Sequence, residues 1–213
     1  MAGRPSEIGL FFREFLRSYH TTGAILPSGR FLAAALARFV AEPAPARRIL
    51  EVGPGTGAVT RRILAALRPA DQLDLVELNE RFVEQLRYCL QTEAAFQRVA
   101  GRCRVLHGAV EELPRDTVYD LVISGLPLNN FAVADVEKIL SAMTGLLKPG
   151  GTLSFFEYIA IRRLRALVSR RAQRQRLRGI GKALHSLLSA HEIRRDWIWL
   201  NVPPAWVHHV RLS

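Results

Sequence analysis

The chain has 213 residues, 49% of them hydrophobic, which is enough to pack one domain and too apolar for intrinsic disorder. Its two cysteines, Cys89 and Cys103, are too few for a disulfide framework and have no metal-type spacing, so both read as reduced structural thiols. No apolar run approaches the roughly 20 residues that span a bilayer, and MAGRPSE lacks a signal-peptide core, so a cytoplasmic chain is expected.

The net charge of +11 is unevenly placed. Residues 1–50 hold 7 Lys/Arg against 3 Asp/Glu, residues 51–150 hold 11 against 13, and residues 151–213 hold 12 against 3. Positive charge gathered at both ends of a near-neutral middle favours an extended anionic partner, either nucleic acid or an anionic membrane surface.

The first segment, from Ser6, repeats Ile8, Phe11, Phe12, Phe15, Leu16 and Tyr19 at helical spacing, with Arg13, Glu14 and Arg17 opposite. That is an amphipathic helix suited either to an interface or to packing on a core. The middle then alternates. RRILEVG (47–53) reads as a strand, GAVTRRILAALR (57–68) as a helix, and DQLDLVEL (71–78) as a strand. Residues 79–96 read as one helix capped by Asn79, CRVLHGAV (103–110) and DLVISGL (120–126) as strands, and DVEKILSAMTGLL (135–147) as a helix opening on Asp135. LLKPGG (146–151) is a stop signal before the strand TLSFFEYIA (152–160). Such alternation predicts a parallel, doubly wound sheet. RRLRALVSRRAQRQRLRG (162–179) holds eight arginines and no acid along an interrupted apolar stripe, a basic amphipathic helix within about 161–190. EIRRDWIWLNV (192–202) and AWVHHVRLS (205–213) read as two strands joined so tightly that they must be antiparallel. Trp197, Trp199 and Trp206 in them read as core or interface residues.

Two motifs carry chemistry. In EVGPGTG (51–57), Gly53, Gly55 and Gly57 permit a tight turn that brings a ligand close to the backbone, and the helix start behind them offers free N–H groups to an anion. Glu77, twenty residues after Gly57 and at the end of the next strand, is placed to accept bonds from both hydroxyls of a ribose. The second motif is ISGLPLNNF (123–131), a buried strand running into a proline-bent, amide-lined loop with no acid, base or nucleophile.

Glu51 two residues before the first glycine, the GxGxG spacing, Glu77 and the proline loop together resemble the class I S-adenosylmethionine-dependent methyltransferases, over roughly residues 45–213. The resemblance implies a seven-stranded Rossmann-like sheet with a C-terminal antiparallel pair, and S-adenosylmethionine as cofactor. It implies that the glycine loop with Thr56 lies along the methionine part, that Glu51 organises its amino end, and that Glu77 and Leu78 hold the ribose. Gly108, Ala109 and Val110 would flank adenine, and Ser124 would border the cofactor. Many members carry an acid at the position of Ala109, which leaves Glu111 as a weak substitute.

SGLPLNN resembles the proline motif of amino-methylating members, whose carbonyls and amide point at the acceptor nitrogen. This gives Gly125, Leu126 and Asn129 a catalytic role. The same loop resembles that of the ribosomal RNA adenine dimethyltransferases, but Leu128 stands where those enzymes stack the flipped base on an aromatic ring. RNA adenine N6-methylation is therefore the alternative activity. The ordered set FFREFLRSYHTTGAILPSGRFLA (11–33), EVGPGTGAVT and GLPLNNF resembles the bacterial phospholipid N-methyltransferases. That family implies stepwise methylation of phosphatidylethanolamine and its mono- and dimethyl derivatives towards phosphatidylcholine, by a protein peripheral to the inner face of the cytoplasmic membrane. Residues 1–45 would form a helical segment that contacts the membrane and covers the substrate, and 46–213 the methyltransferase domain. Tyr19 and Tyr158 would hold the ammonium headgroup, with Tyr19 also catalytic, and Arg30 or a residue of the basic helix would take the lipid phosphate. Bulk water, Glu157, a tyrosine or His20 could accept the proton that the ammonium must lose, and no dedicated base is assigned. No metal and no nucleic acid are expected, and the soluble form is expected to be a monomer.

Overall fold

The computed structural model describes residues 29–116, 118–159 and 171–212, with 171–178 described by backbone alone. Tyr19, His20, the N-terminal amphipathic segment and the first half of the arginine-rich run lie outside the described residues.

A short helix, α1 (Arg30–Leu36), leads into the sheet. Then follow β1 (Arg48–Val52), α2 (Ala58–Ala66), β2 (Gln72–Glu77), α3 (Glu80–Thr92), α4 (Ala94–Gln97), β3 (Cys103–His107), β4 (Tyr119–Ser124), α5 (Val133–Gly145), β5 (Leu147–Tyr158), α6 (Arg171–His191), β6 (Glu192–Ile198) and β7 (Ala205–Arg211). Seven strands lie in the order β3-β2-β1-β4-β5-β7-β6. The first five are parallel, and β7 runs antiparallel to both β5 and β6. The expected seven-stranded sheet with its antiparallel end is borne out. Successive strands step outward from β1 in one direction and from β4 in the other, so the crevice for a ligand opens beyond their carboxyl ends.

Alternating side chains build two cores. Ile49, Leu73, Leu75 and Ile123 face α1–α4 with Leu32, Leu36, Ile63, Leu86 and Phe96. Leu50, Val52, Val76, Val122 and Phe155 face α5 and α6 with Ile139, Met143, Ile180 and Leu184. Fully buried, each such side chain contributes on the order of 2 kcal/mol. One polar group crosses the amino-terminal half of the sheet. Asp74 of β2 is 2% exposed and accepts from Arg48 Nη2 of β1 (3.1 Å), Arg104 Nε and Nη2 of β3 (both 2.7 Å) and Tyr119 Oη of β4 (2.9 Å). Burial works against its charge, but these donors outweigh it and hold the carboxyl below its usual range.

The structure moves several boundaries. Asn79 does cap α3, its Oδ1 accepting from Arg81 N and Phe82 N, but the helix stops at Thr92 because Glu93 turns extended (φ −90°, ψ 123°), and α4 is separate. Helix α5 begins at Val133, not Asp135. Ala132 provides the extended entry, and Asp135 lies in the first turn, where its charge suits the positive end of the helix. β5 begins at Leu147, inside the stop signal, because the sheet absorbs LKPGG as an irregularity opposite Tyr119 and Leu121, with Gly150 at φ 76°. β3 ends at His107, β6 at Ile198 and β7 at Arg211.

Candidate active site

The carboxyl ends of β2, β1 and β4 are locked together by backbone. Gly53 N donates to Val76 O (2.9 Å) and Gly125 N to Val52 O (2.8 Å). Gly53 has φ 68°, and a Cβ there would lie 2.4 Å from Leu126 Cδ2. A Cβ on Gly125 would lie 2.7 Å from Gly53 O. Glycine is thus required on both sides of the contact, once for its conformation and once for close approach. Gly57 (φ 79°) caps α2, and Thr56 is exposed between it and Gly55, its carbonyl accepting from Arg61 Nη1 (2.9 Å).

Glu77, 1% exposed at the end of β2, props up this loop. Its Oε2 accepts from Gly55 N (3.0 Å) and its Oε1 from Asn79 N (2.8 Å). Burial raises its pKa, opposed by the backbone donors Asn79, Gly55 and Leu78. Each oxygen keeps lone-pair capacity for a further donor. Glu51, two residues after Ile49 and paired with Leu75 on the face that Glu77 shares, lies beneath α2 and is wholly buried. Burial pushes its pKa to about 8, with Glu77 adding to the rise and Thr60 of α2 opposing it.

Beside the glycine loop lies a cleft. Val52, Gly53, Val76 and Glu77 form its floor. Leu78, Gly108, Ala109 and Val110 form one wall, and Leu126, Phe131 and Ile139 the other. Its second acid is Glu111, whose Oε1 is buried without a hydrogen-bond partner and whose pKa burial raises. Glu112 Oε2 accepts from Ala109 N (3.2 Å) and fixes the turn that presents Glu111. Apolar walls about a flat slot, with a ribose-capable acid at one end and an under-bonded acid at the other, suit a purine nucleoside.

The loop after β4 forms the other lip. Ser124 Oγ accepts from Leu126 N (3.3 Å), and Leu128–Asn130 form a 3₁₀ turn. Leu128 is fully buried in the core under α5. Asn129 is 2% exposed. Its Nδ2 donates to Tyr158 O (3.3 Å), and since a carbonyl can only accept, the amide orientation follows: Oδ1 is a buried acceptor with no hydrogen-bond partner. The Tyr158 ring lies in the opposite core, edge-on to Phe156 at 5.0 Å, while its carbonyl serves the loop. Arg30 is exposed at the start of α1 with its guanidinium 4.7 Å over the Phe31 ring. Glu157 is buried 3.6 Å from His208 Nε2. Of the residues picked from sequence, the structure therefore gathers Gly53, Glu77, Leu78, Ala109, Val110 and Leu126 about one cleft. It sets Ser124, Gly125 and Asn129 at the end of β4 and on the loop whose Leu126 and Phe131 line that cleft, and it buries Glu51 beneath α2 on the face that Glu77 shares. Phe131, just before α5, and Ile139, on it, were missed as cleft residues because a buried aromatic and an apolar helix stripe both read as core; only their position opposite the strand ends distinguishes them.

Residues 49–151 match the methyltransferase domain family. The fold is that of the class I methyltransferases, whose cofactor is S-adenosylmethionine. Among curated relatives of this methyltransferase domain, the ubiquinone/menaquinone biosynthesis C-methyltransferase UbiE of Ectopseudomonas mendocina is 30% identical over 115 residues, 54% of this chain and 43% of that protein. The chain thus spans less than half the length of that relative. The ornithine lipid N-methyltransferase of Singulisphaera acidiphila is 26% identical over 145 residues, 68% of this chain and 74% of that protein. Among solved structures, the Burkholderia thailandensis 1,6-didemethyltoxoflavin-N1-methyltransferase, bound to that compound and S-adenosylhomocysteine, superposes with TM-score 0.67 at 18% identity, covering 100% of this chain and 92% of its own. The O-methyltransferase TomG of Streptomyces achromogenes, in complex with S-adenosylmethionine, gives TM-score 0.62 at 18% identity, with coverages of 99% and 92%. At that identity the likeness speaks for the fold.

Proposed function

We propose that this methyltransferase transfers methyl groups to the amino headgroup of a phospholipid, taking phosphatidylethanolamine and its mono- and dimethyl derivatives towards phosphatidylcholine. The observation that carries the reading is the Asn129 amide, pinned through Nδ2 to Tyr158 O with its Oδ1 left as a buried, unpartnered acceptor, in the loop between the cleft residues Leu126 and Phe131. An amine in line with a methyl donor needs an acceptor to orient its N–H and to stabilise the positive charge that develops on nitrogen, and a fixed amide oxygen supplies both. The ornithine lipid N-methyltransferase relative, which covers more of both chains than UbiE does, supports a lipid amine as substrate.

The cleft fits S-adenosylmethionine. Glu77 would take the ribose hydroxyls, Glu111 the exocyclic amine of adenine, and the Gly53–Gly57 loop the methionine part. When bound, the cofactor supplies an electrophilic methyl on a sulfonium. The chain's own residues do the rest: the Gly53–Gly125 contact sets the distance between the two lips, Asn129 orients the amine, and Leu126 and Phe131 exclude water. An RNA adenine acceptor would use the same amide, but Leu128 is sunk in the core and offers no stacking face.

The test is transfer of labelled methyl from S-adenosylmethionine to anionic vesicles containing phosphatidylethanolamine, run beside total ribosomal RNA. Label in the lipid extract supports the reading. Label in the RNA replaces it with base methylation, and label in neither, with cofactor bound, excludes both acceptors.

A further inference from the structure

The tip of the β6–β7 hairpin is unlike the rest of the surface. Trp197 is 52% exposed, Trp199 63%, Leu200 76% and Val202 69%, and Ile193 lower on β6 is 45% exposed. These are five of the seven large hydrophobics exposed among the described residues, so the apolar surface is concentrated on one element. It is also stiff. The Trp197 ring lies 5.4 Å from that of Trp199 and stands edge-on to that of Trp206 at 5.3 Å. Under them, buried Asn201 donates to Pro203 O (2.8 Å) and accepts from Gly29 N (3.1 Å). A hairpin held this firmly keeps its indoles in water for a reason other than slack.

Its position gives the reason. Ala205 pairs with both Tyr158 and Ile198, so the turn projects past the carboxyl end of β5, on the edge where the glycine and proline loops lie. Ile159 N donates to Pro204 O (2.9 Å), one residue beyond the carbonyl that holds Asn129. The surface is apolar at its tip, and at its base Arg194 and Arg195 are paired with Asp196 and Glu192, so the hairpin itself is near neutral. The helix that feeds β6, Arg171–His191, contains no acid, and the chain as a whole carries +11. Indole rings favour the water–lipid boundary, and a cationic body is drawn to an anionic leaflet.

We infer that the Trp197–Val202 hairpin tip docks into the interface of an anionic phospholipid membrane and holds the rim of the active site against it. The inference shares with the proposed function only the membrane as partner, and it is tested without methyl transfer. All three tryptophans of the chain lie in this hairpin, so intrinsic fluorescence reports on it alone. The full chain is titrated with phosphatidylglycerol/phosphatidylethanolamine vesicles, with and without brominated acyl chains. A blue shift, quenching by bromine, and an approximately tenfold loss of partitioning in a Trp197→Ser, Trp199→Ser double variant with unchanged S-adenosylmethionine affinity are expected. Four outcomes would overturn it: no vesicle binding, binding without shift or quenching, unchanged partitioning of the double variant, or a shift that follows RNA rather than lipid. A shift that grows with protein concentration in the absence of lipid, with dimers in sedimentation, would assign the face to a second copy instead. Quenching without methyl transfer to detergent-dispersed phosphatidylethanolamine would sink the proposed function and leave the docking intact.

Discussion

On the glycine-loop side of the sheet, the charged groups are buried and tied to backbone. Glu77 bridges Gly55 and Asn79, and Glu51 sits wholly out of water beneath α2. On the hairpin side the arrangement is reversed: large aromatic residues stand in solvent, and two histidines, His208 and His209, are among the buried polar groups. His209, 0% exposed, accepts from Ser154 Oγ at Nδ1 (2.7 Å) and turns Nε2 towards Asp196 Oδ2 (3.4 Å). Burial pushes it down to about 4 despite Asp196, so it is neutral near pH 7. The cofactor side is finished before any ligand arrives, whereas the hairpin side is left incomplete.

The comparison can be broken most severely through pH. Glu51 rises from its ordinary 4.5 to about 8 on folding, so the folded chain holds its proton more tightly than the unfolded one does. Its contribution is full below pH 4.5 and is lost as pH climbs to 8, on the order of 4 kcal/mol if the whole shift is expressed. Glu51→Gln should flatten that decline, read as the difference in denaturant midpoint between pH 5 and 8 on the ligand-free chain. His209 has the opposite slope. Its contribution is present above pH 6.5 and is lost as pH falls towards 4, on the order of 3 kcal/mol. His209→Gln should make the acid limb shallower and leave the alkaline limb unchanged, in the same titration.

Two further variants sharpen the contrast between holding a cofactor and orienting an acceptor. Glu77→Ala removes the ribose acceptor and the prop under Gly55 together, and should weaken S-adenosylmethionine binding by about 100-fold in calorimetry; unchanged affinity would mean the ribose lies elsewhere. Asn129→Ala leaves that affinity within about twofold but should lower kcat by about 30-fold. An equal loss in both would make Asn129 a prop for the cleft rather than an orienter of the amine.

Much of the cofactor side was legible in the sequence because its chemistry is local. Three glycines in seven residues and an acid at the next strand end each have a backbone reason that a spacing can encode, and Asn79 declares its cap. The acceptor side depends on contacts far apart in the chain. That Asn129 hangs from Tyr158, or that Glu111 ends with a buried, unpartnered oxygen, follows from how β4, β5 and the turn after β3 meet, which no spacing records. Trp197 and Trp199 alternate with Ile198 as a buried strand would, and only the place of β6 at the end of the sheet puts them in solvent. The misplaced starts of α5 and β5 share one cause: Asp135 and LKPGG carry strong local signals that the surrounding packing overrode.

Asp74 bears on how such a sheet finds its order. Four parallel strands of similar apolar content could in principle exchange neighbours or slide with little loss of hydrophobic burial. A slip of one residue in β2 would turn this carboxylate to the other face, and Arg48, Arg104 and Tyr119 would lose their shared acceptor. A single buried acid contacted from three strands therefore acts as a parity check on assembly, admitting one arrangement and penalising its near neighbours while adding nothing to the chemistry above it.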